Sequence, residues 1–183
     1  MSEELIIRHC SPTLAGLKTG NLFSCPYDSR EALNKDLRRL NRTLASKGLR
    51  VLPLKISAGK ALIYIYRPAR LKEDLLRENA ADMLKARGYS CEYPNRCIVS
   101  LIKRLDSLND FPHEIGLFLG YPPEDVRGFI ENSAQESKVA GCWKVYGDAE
   151  AAKKTFEKYK KCTREYTRRH INGNTLEQLA VAV

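Results

Sequence analysis

Residues 113–132 read HEIGLFLGYPPEDVRGFIEN, two apolar stretches separated by a glycine and a pair of prolines. The first stretch, residues 115–119, ends at Gly120, and the second begins after Pro122 and Pro123 with two acidic residues. Glycine stops a helix, whereas proline and acidic side chains favour a helix N-terminus. The stretch therefore predicts two short helices that pack their apolar faces together at a corner.

The first helix of the corner is predicted to begin just before this stretch. Asp110 or Phe111 can act as the N-cap, with Pro112 in the first turn, where a missing N–H group does no harm. His113 and Glu114 would then also lie in the first turn.

The spacing of the corner also resembles a bacterial helix-turn-helix. A DNA-reading second helix would present its first turn, residues 122–125, to phosphates and base edges. That turn holds Glu124 and Asp125, which would repel phosphate, and Arg127 is the one plausible contact. A DNA-binding regulator is thus an alternative, but the sequence argues against DNA as a partner.

The rest of the chain alternates helical and extended patterns. Apolar side chains at spacings of three and four predict helices over residues 29–47, 71–84, 98–108 and 156–170. A short helix is predicted over residues 2–9, because Ser2 can cap it, Glu3 and Glu4 lie in its first turn, and it ends before Pro12. Residues 50–57 and 61–66 predict a β-hairpin around Gly59, and further strands are expected near residues 13–25 and 141–147. The predicted fold is α+β. A single domain over residues 1–170, with a small, mainly antiparallel sheet, precedes a tail over 171–183 that docks or frays.

Composition places the chain among globular proteins. Of its 183 residues 43% are hydrophobic and 29% are charged, and no apolar run approaches the ~20 residues that span a bilayer. The first ten residues lack the basic start of a secretion signal. We therefore expect a cytoplasmic protein with no membrane partner.

The six cysteines form no CxxC pair, which predicts reduced thiols and no metal site.

The net charge of +9 is concentrated in one segment. Residues 153–169 hold eight basic and two acidic side chains. Such a helix is a solvated face in most proteins, and an anion or nucleic-acid surface in some. Its positive field would suit a small anion or an acidic protein partner.

Two combinations of residues are candidates for chemistry. Cys10 as nucleophile with His113 as base, and Glu114 beside it, would make a thiol-dependent hydrolase or transferase. His9 and Cys10 are chain neighbours whose side chains diverge, so one small metal ion cannot easily take both. Either could bind haem, or could join a distant residue such as His113 or Cys162 in a metal site.

Longer motifs carry a resemblance to a known family. FPHEIGLFLGYPPEDVRGFIEN, GCWKVYGD, HCSPTLAGLKTGNLF, YIYRP and a helix ending near YKKC are together similar to an uncharacterised bacterial family, domain of unknown function 3793. The resemblance covers nearly the whole chain to about Cys162, and it brings no activity, ligand or mechanism with it.

The resemblance implies a link to redox or iron chemistry in anaerobic bacteria, with a flavodoxin-like protein as one acidic partner. Family motifs and reactive side chains coincide at eight positions: His9, Cys10, Lys18, Arg67, His113, Glu114, Trp143 and Lys144. Arg67 follows a predicted strand and could hold an anion. The sequence thus favours a binding or accessory protein for a small anion, a haem or metal, or an acidic partner, and leaves its cofactor and any enzymatic activity open.

Overall fold

The structure is a computed structural model that describes residues 1–57, 59–90, 93–107 and 111–182. In chain order its elements are α1 (Glu3–Leu14), β1 (Gly20–Pro26), α2 (Arg30–Ala45), β2 (Arg50–Ser57), β3 (Lys60–Tyr66), α3 (Pro68–Leu76), α4 (Glu78–Ala86), α5 (Pro94–Ser107), α6 (Ile115–Phe118), α7 (Pro123–Glu131), β4 (Val139–Ala140), β5 (Lys144–Val145), α8 (Ala149–Ile171) and α9 (Leu176–Leu179). The predicted α+β class, with a small antiparallel sheet and a two-helix corner, is confirmed.

The chain forms two compact units. The sheet unit comprises Met1–Ala69 and Tyr159–Val183, and the corner unit comprises Arg70–Lys158. Helix α8 contributes residues to both. The boundaries predicted from sequence, a domain over residues 1–170 and a tail after it, stay a prediction.

The sheet unit is built on β3, the central strand in the order β1-β3-β2. Both neighbours run antiparallel to it, and the register of β2 shifts between Pro53 and Lys55. Ile63, Tyr64 and Ile65 on β3 are fully buried, which matches their β-branched and aromatic character. The hairpin predicted from the sequence is therefore confirmed.

Helix α2 covers this sheet with an apolar stripe. Ser29 accepts a hydrogen bond from the backbone N–H of Ala32 and caps the helix, and Gly48 follows it in the left-handed region at φ +70°. The stripe consists of buried leucines at spacings of three and four: Leu33, Leu37, Leu40 and Leu44. The sequence predicted this helix correctly because all its signals are local.

Helix α1 is longer than predicted. The sequence predicts that this helix ends before Pro12, yet Pro12 lies inside α1, which runs to Leu14. Proline removes one backbone hydrogen bond, but Ile6, Cys10 and Leu14 on the same face are buried in the core. Burial of that face outweighs the single missing bond.

The C-terminal residues pack onto the same core. Leu176, Leu179 and Ala180 are buried there, and the side chain of Thr175 caps α9 in a capping box with Gln178. The backbone N–H of Leu176 donates to Glu3 Oε2 at 2.8 Å. The segment after α8 is therefore docked within the sheet unit.

In the corner unit, the helix predicted over residues 71–84 is two helices. Arg77 has an extended backbone, φ −62° and ψ 133°, and serves as the N-cap residue of α4. The break separates the buried Leu71 and Leu75 of α3 from the buried Ala80, Met83 and Leu84 of α4. Apolar spacing alone could not reveal it, because the stripe continues in phase through Arg77.

Helix α6 is shorter than predicted. It begins at Ile115 with Glu114 as N-cap residue, so Pro112 and His113 precede it. The backbone N–H of Ile115 bonds to the carbonyl of Pro112, three residues back, a tight turn rather than an α-helical one. The predicted cap at Asp110 lies outside the described residues.

A small hairpin follows the corner. Strands β4 and β5 pair Val139 with Val145 and Ala140 with Lys144, so the strand predicted over residues 141–147 shrinks to two residues. Val145 packs in a small core with Ala152 and Phe156, which lie in the first part of α8.

The cysteines differ in state. Cys10, Cys25, Cys142 and Cys162 are reduced thiols, whereas Cys97 is disulfide-bonded. The prediction of reduced thiols is therefore wrong at Cys97. Among the helices of the described residues, none combines the length and the apolar composition needed to cross a membrane.

Candidate functional site

A cleft of about 170 Å³ opens in the corner unit beside the α6–α7 corner. We call it the corner cleft. Its walls are mostly apolar and aromatic, and they come from both helices, the connecting turn and the hairpin: His113, Ile115, Gly116, Tyr121, Asp125, Val126, Phe129, Trp143 and Lys144. Three residues singled out from the sequence, His113, Trp143 and Lys144, thus meet at one site.

The corner itself depends on glycine. A Cβ at Gly116 would lie 2.8 Å from Cγ2 of Val126 and 3.1 Å from Cδ2 of Tyr121, which is closer than ordinary packing allows. Gly120 between the helices has φ +75°, the left-handed conformation that glycine adopts without strain. The two glycines allow the apolar stripes of the helices to meet.

Asp125 joins the corner to the hairpin. Its Oδ2 accepts a hydrogen bond from Trp143 Nε1, and its Oδ1 accepts from the backbone N–H groups of Tyr146 and Gly147, each at 2.7 Å. The side chain is buried, with 3% of its surface exposed. A buried carboxylate is stable when it has such donors. Asp125 therefore holds Trp143 and the end of β5 against α7.

Trp143 lies in a group of aromatic rings. Its ring stacks on Tyr121, with centroids 4.9 Å apart, and meets Phe156 edge-on at 4.5 Å. The Tyr121 hydroxyl donates to the carbonyl of Cys142 at 3.2 Å. These contacts give the indole one fixed position in the wall of the corner cleft.

His113 and Lys144 supply polar atoms to the cleft. His113 is exposed, and its ring meets Phe129 edge-on with centroids 4.9 Å apart. Lys144 is half-buried and its Nζ donates to the carbonyl of Ala134. Ala134 has φ +64°, so the lysine contacts a loop that already holds a left-handed, non-glycine residue.

Helix α7 uses its first turn for internal packing. In that turn Asp125 and Val126 are buried, and in the next turn a Cβ at Gly128 would lie 2.4 Å from the Tyr146 ring. A recognition helix needs its first turn free to enter a DNA groove. The corner is thus a packing element that shapes the cleft.

Glu114 lies in a separate polar cluster of the corner unit. Its Oε1 accepts a hydrogen bond from the Tyr89 hydroxyl at 2.8 Å, and Arg87 and Arg104 approach the carboxylate to 3.8 and 4.0 Å. Burial, and then the bond to Glu114, raise the pKa of Tyr89. Arg104 also lies 4.7 Å above the Tyr89 ring. Glu114 therefore ties α6 to α5 and to the end of α4.

Arg67 ties backbone segments together inside the sheet unit. Its guanidinium donates to the carbonyls of Thr13, Leu14, Lys47 and Val181 at 2.8 to 3.0 Å. Its exposed fraction is 2%. Arg67 therefore has a structural role at the ends of α1 and α2 and does not belong to the candidate site.

The remaining predicted residues, His9, Cys10 and Lys18, also lie in the sheet unit. His9 is exposed and stacks on Phe23 with centroids 5.9 Å apart. Cys10 is fully buried, and this burial raises the pKa of its thiol, against a smaller lowering by the charge of Lys18. A thiol that stays protonated is a poor nucleophile.

Metal binding finds little support in the side chains. Within the described ranges, no three His, Cys, Asp or Glu residues are grouped as metal ligands. The predicted absence of a dedicated metal site stays a prediction, as does the proposed ligation of haem by His9 or Cys10.

Reasoning from the sequence missed Asp125, Tyr121 and Phe129 as parts of the site. Asp125 was interpreted as an acidic helix start, which is its usual role in a first turn. One signal in the sequence could have identified Asp125. A Trp N–H that becomes buried needs a hydrogen-bond acceptor, and Asp125 and Trp143 both lie in motifs of the resemblance.

Comparison with known proteins yields a family. No curated protein and no solved structure matches the chain. A family model described as "Protein of unknown function (DUF3793)" matches residues 6–180. Almost the entire chain is covered, as the motifs indicated. The chain therefore belongs to the family of proteins of unknown function known as DUF3793.

Proposed function

We propose that this protein binds a small aromatic carboxylate in the corner cleft. The observation that carries the proposal is the convergence of His113, Trp143 and Lys144 on one cleft with aromatic walls. Pockets that combine apolar walls with a few polar groups are the usual form of small-molecule sites.

The size and lining of the cleft favour a single ring. Its volume of about 170 Å³ is close to that of the ~150 Å³ cavity that accepts benzene. The rings of Trp143, Tyr121 and Phe129 offer faces and edges to a planar ligand, and such ring pairs add about 0.5–1.5 kcal/mol beyond area burial.

The charges at the cleft favour a carboxylate substituent. The ammonium of Lys144 has three N–H groups, and one of them donates to Ala134. The Asp125 carboxylate is engaged by three donors, which reduces its repulsion of an anion. His113, which also lines the cleft, adds a ring nitrogen.

The alternatives drawn from the sequence have less support. The hydrolase or transferase hypothesis needs an accessible thiolate at Cys10, a residue with no exposed surface. The regulator hypothesis needs the first turn of α7, whose Asp125 accepts three hydrogen bonds from the hairpin. We propose neither.

The single tryptophan of the chain makes the proposal testable. Titration with benzoate should quench Trp143 fluorescence and saturate, whereas benzyl alcohol and cyclohexanecarboxylate should bind at least about tenfold more weakly. Lys144→Met should weaken benzoate binding about tenfold. Lys138→Met is the matched control, because Lys138 adjoins the hairpin and donates to a carbonyl, that of Gly147, but does not line the cleft.

Two results would overturn this proposal. One is benzoate quenching that rises linearly without saturation. The other is an equal effect of Lys144→Met and Lys138→Met, since both remove one charge and only Lys144 lines the cleft.

An acidic protein partner is a second candidate, supported by α8. All eight basic side chains of residues 153–169 are exposed, and Glu165 is paired with Arg168 and Arg169 at 2.8 and 2.9 Å. The local surplus of positive charge is therefore presented to solvent, where it would steer an acidic protein toward α8. The redox- or iron-linked role implied by the family resemblance belongs to this proposal, with a flavodoxin-like partner as the example.

Calorimetry with a flavodoxin tests the second candidate. Binding should weaken steeply as salt rises, and Lys154→Glu with Lys158→Glu should abolish it. The control pair Lys60→Glu with Lys85→Glu reverses the same number of exposed charges elsewhere. Weak binding that does not depend on salt concentration would remove this candidate, as would an equal loss of affinity in both double variants.

A further inference from the structure

A basic groove of about 650 Å³ lies between α2 and the edge strand β2 of the sheet unit. Its sides carry Arg38, Arg42 and Asn34 of α2, and apolar atoms line it at Leu37, Val51 and Pro53. An adjoining depression of about 400 Å³ shares Arg38 and Arg42 and adds Glu31 and Lys35. The groove is distinct from the corner cleft, which lies in the other unit.

One wall of the groove is held by Asn41. Its Nδ2 donates to the carbonyl of Val51 at 2.7 Å and to that of Leu37 at 3.0 Å, and its Oδ1 accepts the N–H of Val51 at 2.9 Å. The backbone N–H and carbonyl of Val51 on this edge strand are therefore already hydrogen-bonded, and Pro53 has no N–H group that could pair with another strand. Addition of a further strand is disfavoured at such an edge. A ligand of this groove would be recognised by side chains.

Three cations line the groove and the adjoining depression without a carboxylate partner, Arg38 and Arg42 at both and Lys35 at the depression. Lys35, Arg38 and Arg42 are exposed at spacings of three and four on α2, and within the described residues none of them forms an ion pair or hydrogen bond. Neighbouring Arg39 differs because it forms an ion pair, with its Nη2 3.7 Å from Oδ1 of Asp36. Glu31 is the one carboxylate among the lining residues, so the site keeps a local surplus of two positive charges.

We propose that this groove binds a small phosphate monoester. Arg38 and Arg42 hold the phosphate, Lys35 adds a third cation, and the apolar part of the ligand rests on Val51 and Pro53. Guanidinium groups match phosphate oxygens with paired N–H donors, and residues four apart on a helix reach the same ligand. A dianion fits two guanidiniums and an ammonium beside one acid better than a carboxylate does.

Phenyl phosphate is a suitable probe, with inorganic phosphate as its comparison. An NMR titration should show saturable shifts at the backbone N–H of Leu52 and at the Arg38 and Arg42 side chains. Inorganic phosphate should bind about threefold to tenfold more weakly, because it lacks the apolar group. Equal affinity for the two probes would show that the apolar part of the ligand does not rest on Val51 and Pro53.

A double variant tests the guanidiniums directly. Arg38→Gln with Arg42→Gln should weaken phenyl phosphate binding at least about tenfold. The matched control, Arg30→Gln with Arg39→Gln, removes the same charge from the same helix at residues that do not line the groove, and it should change affinity less than about twofold. All four arginines are exposed, so thermal unfolding should show that both variants keep the fold.

Three outcomes would overturn the proposal. The first is no saturable binding of phenyl phosphate up to about 10 mM. The second is an equal loss in both double variants, which would reduce the effect to net charge. The third is a short single-stranded oligonucleotide that binds far more tightly through Arg38 and Arg42 with a steep dependence on salt, which would assign the groove to nucleic acid.

Discussion

Asp125 and Trp143 are 18 positions apart in the chain and are joined by a hydrogen bond of 2.7 Å from the indole N–H to the carboxylate. The same carboxylate accepts the N–H groups of Tyr146 and Gly147. One side chain thus connects the helical corner to the hairpin and sets the position of the ring that lines the candidate site.

Loss of the Asp125 carboxylate should loosen the cleft. Asp125→Ala leaves three donors without their acceptor, and we expect the free energy of unfolding to fall by about 3 kcal/mol. Trp143 emission should shift to the red as the indole becomes hydrated. Urea unfolding followed by fluorescence measures both effects. Glu124→Ala, in the same turn but exposed, should change stability by less than about 0.5 kcal/mol; an equal effect of the two substitutions would contradict the assigned role of Asp125.

Arg67 should be essential to the stability of the sheet unit. Arg67→Met leaves four carbonyls without their donor, and we expect a fall of about 3–5 kcal/mol in the free energy of unfolding. Arg67→Lys should recover only part of it, because an ammonium cannot copy the planar fork. Limited proteolysis should cut the C-terminal residues faster in both variants, since Val181 loses its donor. Arg39→Met, an exposed control, should remain within about 1 kcal/mol of the wild type.

Gly116 should tolerate no side chain while Val126 is present. Gly116→Ala places a Cβ 2.8 Å from Val126 Cγ2, and such overpacking lowers stability by about 1–3 kcal/mol. The double variant Gly116→Ala with Val126→Ala should lose less than the sum of the two single losses, because the shortened neighbour relieves the clash. Chemical denaturation of the four proteins measures the coupling. Strict additivity would show that the helices do not approach as closely as the structure has them.

The buried thiol of Cys10 should make stability fall at alkaline pH. Burial raises its pKa in the folded protein, so the unfolded chain releases this proton above a pH of about 8.5 while the folded chain keeps it. The unfolded state then binds fewer protons, and the free energy of unfolding decreases as pH rises. Urea unfolding between about pH 7 and pH 10 should show a shallower decline for Cys10→Ala.

Thiol labelling gives a second measurement of the same burial. In the native protein, Cys142 is exposed and should react readily with a thiol reagent. Cys162 should react more slowly, because burial raises its pKa to about 11. Cys10 should react only after unfolding. Rapid native labelling of Cys10 would contradict its position in the core and would reopen the thiol-enzyme hypothesis.

The sequence predicted an element correctly where the residues that determine it are close together in the chain. Helix α2 was predicted nearly to the residue, because Ser29, its leucine stripe and Gly48 are all local. Pro12 inside α1 and the break at Arg77 were predicted wrongly, because each is decided by core packing that local patterns do not contain. The same limit applies to the site: His113, Trp143 and Lys144 were selected one by one, and nothing in their spacing showed that they share a cleft.

The sequence by itself determined the α+β class, the two-helix corner, the basic outer face of α8 and the family, since periodicity, caps and long motifs are properties of neighbouring residues. Tertiary structure alone decided which side chains are engaged and which face solvent. The sequence around Arg67 is that of an ordinary surface arginine after a strand, yet its guanidinium donates to carbonyls of residues as distant as Thr13 and Val181. Hydrogen bonds between distant residues depend on how elements pack, and that information is spread over the whole chain.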